Sequence, residues 1–154
     1  MTRFRLYSTD IAPTTTPDVA SPAATLNIKW DHDPLKPGSL EITEPEGRGA
    51  VIPTGAGGTV IHDLGVPEGG GTITVSGDVT SGQYLLPAAV AAFRAAYRAV
   101  GTQYYLTDGY RVWRVVWSRK PAGFSSWMHQ RWAEAGRVEY SYKFVFVIVR
   151  EELA

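Results

Sequence analysis

The chain has 154 residues, 44% hydrophobic and 12% aromatic against 19% charged, which is enough apolar surface for one sizeable core and far from the composition of a disordered segment. Fifteen Lys and Arg balance fifteen Asp and Glu, so no overall field steers the protein toward a polyanion or an anionic membrane. The absence of cysteine removes disulfides, thiolate metal sites and cysteine nucleophiles, and sixteen Gly with ten Pro favour turns and strands over helices. One mostly β domain over residues 1–154 is expected. The first residues, Met1–Tyr7, lack the apolar stretch of a signal peptide, and no run approaches the roughly 18 apolar residues of a membrane span, so a soluble protein is expected.

Thr2–Ser8 alternates weakly and predicts a first strand. Asp10–Ala24 carries Pro13, Pro17 and Pro22 and reads as an extended loop or arm. Thr25–Trp30 places Leu26, Ile28 and Trp30 on one face, and Ser39–Thr43 repeats the pattern after Pro37-Gly38, which together predict a hairpin. Glu44–Gly58 is dense in Gly and Pro and reads as a second loop or arm. Thr59–Val66 and Thr72–Val79 then read as two strands joined by Pro67–Gly71, a second predicted hairpin.

From Leu86 the period changes from two to 3.6. Leu86, Val90, Phe93, Tyr97 and Val100 follow steps of four, three, four and three, the stripe of a helix lying on a sheet. Pro87 suits its first turn, Gly101 its end, and the seven alanines between 88 and 99 supply helix propensity. Tyr104–Thr107 and Tyr110–Trp117 flank Asp108-Gly109, a dipeptide suited to a two-residue primed turn. The last strand, Val138–Val149, begins alternating and ends apolar on both faces. At about 3.3 Å per residue it would span roughly 40 Å, a length that fits a barrel or a sheet continued across a subunit boundary.

Chemistry-bearing patterns are sparse. Thr54–Thr59 resembles a phosphate-cradling loop but lacks the Gly-Lys-Ser/Thr ending and precedes a strand. Asp31-His32-Asp33 and His62-Asp63 place neighbouring side chains on opposite strand faces, and His129 sits among Trp127, Met128 and Trp132, so no ligand spacing for a metal emerges. No nucleophile elbow accompanies Ser76 or Ser125. The acids Glu41, Glu44, Glu46, Asp63 and Asp78 leave a hydrolase with dispersed carboxylates as one rival reading. Neither a catalytic residue, a cofactor nor a metal is therefore expected. Trp113 and Trp117 alternate with Val112 and Val116; if the valine face is core, the tryptophan face meets sugar, solvent or a partner subunit. With Trp127 they make a carbohydrate-binding β domain a second rival. The basic run Arg111, Arg114, Arg119, Lys120 and Arg131 against an acidic N-terminal half would make the subunit dipolar, which either helps copies stack head to tail or is merely solvated surface.

The order Gly71–Gly77, a Leu/Ala-rich helix with a Phe-Arg-x-x-Tyr stretch, Tyr105–Gly109, Tyr110–Ser118 and a long aromatic terminal strand resembles the split-barrel fold of phage tail proteins over about residues 58 to 150. The layout is most similar to the distal tail protein of long-tailed phages, with tail-tube and tail-terminator proteins as alternatives. The resemblance implies an antiparallel split barrel or curved sheet with the helix Leu86–Val100 on its outside. It also implies a hexameric homo-oligomeric ring at the tail tip or baseplate, joining the tube to neighbouring tail proteins. DNA would be passing cargo in its channel and the virion its location, after synthesis in the host cytoplasm. The chain is short for a distal tail protein with its second domain, so only the ring-forming half is expected. Val145, Val147 and Val149, with Trp113 and Trp117, are the residues expected at the interface between copies.

Overall fold

The fold is described by a computed structural model covering residues 4–13, 26–31, 40–45, 47–65, 69–128 and 138–153. Ten strands and one helix follow in chain order: β1 Arg5–Ser8, β2 Asn27–Lys29, β3 Leu40–Thr43, β4 Arg48–Pro53, β5 Thr59–Gly65, β6 Thr72–Gly77, α1 Pro87–Arg98, β7 Tyr104–Thr107, β8 Val112–Trp117, β9 Phe124–Met128 and β10 Tyr140–Leu153. Eight of the strands form one curved, open antiparallel sheet in the order β2-β1-β7-β8-β10-β6-β3, with β9 beside β10, and α1 packs on one face. The expected mostly β, curved antiparallel sheet with one packed helix is the fold observed.

The 14-residue β10 is the spine of this sheet. Along one side it pairs first with β9 (Tyr140↔Met128 to Phe144↔Phe124) and then with β8 (Phe146↔Trp117 to Leu153↔Val112). Between the two partners the chain makes a closed excursion. Ser118 N–H donates to the Val145 carbonyl (3.0 Å), Val145 N–H to the Gly123 carbonyl (2.8 Å) and Gly123 N–H to the Ser118 carbonyl (2.8 Å). β8 and β9 are thus one interrupted strand, a bulge on a large scale. Gly123 is required at the closure, because a Cβ there would lie 2.8 Å from the Ser118 carbonyl oxygen and closer still to that of Val145.

Alternation decides which residues meet the helix. Tyr142, Phe144, Phe146 and Ile148 of β10 share a face with Ile73 and Val75 of β6, Trp113, Val115 and Trp117 of β8, and Leu6 and Leu106 of the far strands, and all are buried in one cluster with Phe93 and Ala96. Aromatic rings fill the space that one helix leaves above a wide sheet: Phe144 lies 4.9 Å from Phe93, 5.3 Å from Trp117, 5.3 Å from Phe124 and 6.2 Å from Trp30. A second, smaller cluster of Tyr7, Tyr105 and Val112 lies on the opposite face.

Several local expectations are corrected. The predicted hairpin of residues 25–30 with 39–43 does not form: β2 pairs with β1 and β3 with β6, at opposite edges of the sheet. β5 does not pair with β6 either. Its partner is β4, which the Gly and Pro density of residues 44–58 had hidden, and the two make a separate ribbon (Val51↔Ile61, Ile52↔Val60) turning through Thr54–Gly58. Of the expected arm over 10–24, residues 14–24 lie outside the described residues. The β7–β8 hairpin is present, but its loop runs from Asp108 to Arg111. Asp108 Oδ1 accepts from the N–H groups of Tyr110 (2.9 Å) and Arg111 (2.8 Å), and this Asx-type bonding stabilises four residues rather than a two-residue primed turn. The helix ends at Arg98, so Val100 lies beyond it, 91% exposed, and Leu86 before it is exposed too; of the expected stripe Val90, Phe93 and Tyr97 pack on the core, with Ala89, Ala92 and Ala96 beside them.

Candidate assembly surface

Trp113 and Trp117 do not face a partner. Their face of β8 is the helix-covered one, and both are buried in the chain's own core, 3% and 2% exposed. The alternation was read correctly, but the inward side is the tryptophan face. Val112 and Val116 take the opposite face, where Val112 is covered by Tyr7 and Tyr105. Of the tryptophans proposed as a sugar platform, Trp127 alone is open, at 50%.

Val145, Val147 and Val149 lie on the face away from the helix and are half-buried. Val145 is paired with Thr74, and Val147 with Thr72 and Val116. Around them this face carries hydroxyls and charges: Thr43 and Glu41 on β3, Thr72, Thr74 and Ser76 on β6, Ser125 on β9 and Lys143 on β10. A face so mixed is suited to water and offers the valines as spacers between polar neighbours.

The sheet's edges are more distinctive. β9 flanks β10 at Tyr140–Phe144 and β3 flanks β6 at Thr72–Val75, opposite Phe144–Val147 of β10, so in the order β9-β10-β6-β3 the two are staggered margins that share the level Phe124-Phe144-Val75-Leu40, and among the described residues neither pairs with a further strand. The Gly123–Val145 hydrogen bond fixes the alternation of β9 and turns the backbone groups of Phe124, Ser126 and Met128 away from β10, toward the open side. Natural edge strands are blunted by lysine, proline or inward charge. β9, with the sequence Phe-Ser-Ser-Trp-Met, has none of these, and β3, Leu-Glu-Ile-Thr, has a single carboxylate.

Beside β9, on the helix side, runs a groove. Val90, Arg94, Tyr97 and Arg98 of α1 form one wall, Phe124, Ser125 and Ser126 of β9 the other, and Tyr140 closes it; the space is about 520 Å³ and is continuous with a shallower one of about 470 Å³ along Pro87, Ala91 and Ala95. Its two walls meet in a stack. Arg119 lies over the Tyr97 ring (4.7 Å), Tyr97 is stacked on Phe124 (5.8 Å) and Phe124 on Phe144 (5.3 Å). Arg119 also donates to the Tyr97 carbonyl and, at 3.1 Å, to that of Ala99, satisfying the C-terminal end of α1. Arg94 and Arg98 are exposed and have no carboxylate or hydrogen-bond partner among the described residues.

The groove and the β9 margin were not anticipated from the sequence, although the alternation of Phe124, Ser126 and Met128 was a signal for the strand. Of the other candidates, Asp31 accepts a hydrogen bond from Leu86 N–H (2.8 Å) at the start of α1, and Asp78 accepts from Thr80 N–H (2.9 Å), so both have capping work. Glu41 and Glu44 are exposed. His32, Asp33, Glu46 and His129 lie outside the described residues. Among the described residues no group of three or more His, Asp or Glu could hold a metal ion, and no helix is long and apolar enough to cross a membrane. Comparison with protein families, curated proteins and solved structures finds no match.

Proposed function

We propose that this chain is a structural protein whose copies join side by side, β9 of one against β3 of the next, to build a ring. The observation that carries the reading is the pair of unprotected margins at the two ends of the strand order β9-β10-β6-β3. Adjacent strands there are antiparallel, so β3 and β9 run in opposite senses. Because the number of strands is even, repeating the unit by rotation sets β3 antiparallel to the neighbouring β9 and continues the sheet without a change of sense. A contact between two different surfaces is heterologous, and it closes into a ring when the rotation permits. Apolar Leu40 and Ile42 would extend the neighbour's core face beside Phe124, while the hydroxyl-rich face would line the inside.

On the resemblance to phage tail proteins, the ring is a virion component at the tail tip or baseplate that joins the tube to the tip complex, with DNA passing through; a tail-tube or tail-terminator ring is the alternative position. Light scattering of the purified chain across a concentration series tests the assembly. A discrete ring-sized mass, reached directly or on concentration, is expected; a monomer at every concentration, with added tail proteins making no difference, would overturn the reading.

A further inference from the structure

The charges of this chain are segregated. Residues 1–86 hold ten acids and five bases, whereas residues 87–154 hold five acids and ten bases. The segregation reaches the two margins. Arg94 and Arg98 stand one helical turn apart on α1, on the wall of the groove beside β9, and α1 contains no acidic residue to offset them. Like charges at this spacing weaken a helix by a few tenths of a kcal/mol, so the placement is slightly unfavourable to the isolated subunit. At the other margin Glu44, just after β3, is exposed with no basic partner among the described residues, whereas Glu41 is turned to the face away from the helix. Arg111, Arg114 and Arg150, by contrast, all have carboxylate partners within the chain. The uncompensated charges of opposite sign thus sit beside the two unpaired edges.

We propose that the Arg94/Arg98 groove receives the acidic flank of β3 from a second copy of this chain, and that this contact fixes the direction in which copies join. The inference rests on the edge-to-edge reading above and adds the recognition step to it. Edge strands pair through backbone groups that are alike in every strand, so pairing alone would not distinguish β3-to-β9 from β9-to-β9 or β3-to-β3. Charge does: the first brings guanidinium to carboxylate, the other two bring like to like, and such juxtaposition suppresses wrong partners. The groove suits the task sterically. Ala91 and Ala95 end at Cβ along its shallower part and let an incoming strand approach, and the Ser126 hydroxyl can bond a carboxylate or a backbone group.

The test is charge reversal with complementation. One variant carries Arg94→Glu and Arg98→Glu, the other Glu44→Arg; all three positions are exposed, and circular dichroism checks that each chain remains folded. Each variant alone should need at least about tenfold higher concentration to assemble than the wild type, since an attractive contact becomes repulsive at every junction. An equimolar mixture should regain wild-type assembly, with the two variants alternating around the ring, because every junction is then again between opposite charges. Raised salt should weaken wild-type assembly by screening. Wild-type assembly with equally good assembly of either folded variant overturns the charge contact while leaving the edge joint in place. Folded variants that fail both alone and in the mixture overturn the pairing of these two patches. A wild type that stays monomeric overturns the edge joint and this contact together.

Discussion

Replacing Phe144 with Ala removes a ring that touches the aromatic side chains of Trp30, Phe93, Trp117, Phe124 and Tyr142, at centroid distances from 4.9 to 6.2 Å, from a site with no solvent exposure. The transfer term for a fully buried Phe is about 2–3 kcal/mol. A cavity bounded by five rigid rings has little freedom to collapse, so the residual void adds to it, and a total of about 4 kcal/mol is expected within the usual range of roughly 3–5. Val145→Ala, one residue along the same strand, takes two methyl groups from a half-buried site on the other face and leaves an open notch that water fills, at a cost of about 1 kcal/mol. For a chain of this size 1 kcal/mol corresponds to about 2–4 °C in Tm, which gives a fall of roughly 8–16 °C for Phe144→Ala and 2–4 °C for Val145→Ala. Urea unfolding followed by circular dichroism and tryptophan fluorescence measures both. If Val145→Ala proved as costly as Phe144→Ala, the assignment of one dry and one half-wet face to β10 would be wrong.

Burial pushes the Tyr142 phenol far above the ordinary tyrosine range, outweighing the Trp30 indole beside it, and the Asp31 carboxylate adds to the rise. A folded pKa above the unfolded value of about 10 means stability is fully present below pH 10 and lost as pH rises beyond it, at about 1.4 kcal/mol per pH unit; urea midpoints at pH 8, 10 and 11 should fall accordingly, and Tyr142→Phe should flatten that dependence. Gly123→Ala forces a methyl group against the carbonyl oxygens of Val145 and Ser118, both fixed in the strand junction, and should cost about 2–3 kcal/mol, whereas Gly55→Ala, with nothing near its added carbon, should lie within about 0.5 kcal/mol of wild type. Asp31→Ala leaves the first turn of α1 without its only side-chain acceptor among the described residues and should cost about 1 kcal/mol in thermal unfolding, with Asp31→Asn recovering most of it.

Elements with a local cause were legible in the sequence. The α1 stripe is set by the 3.6-residue repeat and by Pro87, and β10 by a run of aromatic and β-branched residues that has no competing turn. Strand partners were less legible, because pairing is a choice among distant segments. β3 and β6 pair across the intervening β4–β5 ribbon, and nothing in Leu40–Thr43 records that Thr72–Val75 will lie beside it. Alternation in β8 separated Trp113 and Trp117 from Val112 and Val116 but could not say which set faces inward. The tie is broken by α1, whose alanines permit a close approach only if large rings from the sheet fill the gap, and tryptophan fills it where valine would leave a void. The groove was invisible for a related reason: Arg94 and Arg98 are ordinary exposed helix residues until the fold brings β9 alongside them.

The excursion at Ser118–Gly123 explains why this sheet has an open margin at all. Had β8 run straight on into β9, the whole composite strand would be free to pair with β7 or to receive the chain returning from α1. The loop lifts the strand away and sets it down again at the same residue of β10, Val145, so that β7 pairs only with the β8 portion and β9 re-emerges beyond the reach of β7. α1 then packs against β9 from the core side through Tyr97 and Phe124 without occupying its edge. An edge positioned by a bulge, supported from behind by a helix and left free of lysine and proline is poorly protected against further strand pairing. On the proposed assembly that lack of protection is the function: the strand that would be a hazard in a monomer is the site at which the next copy adds.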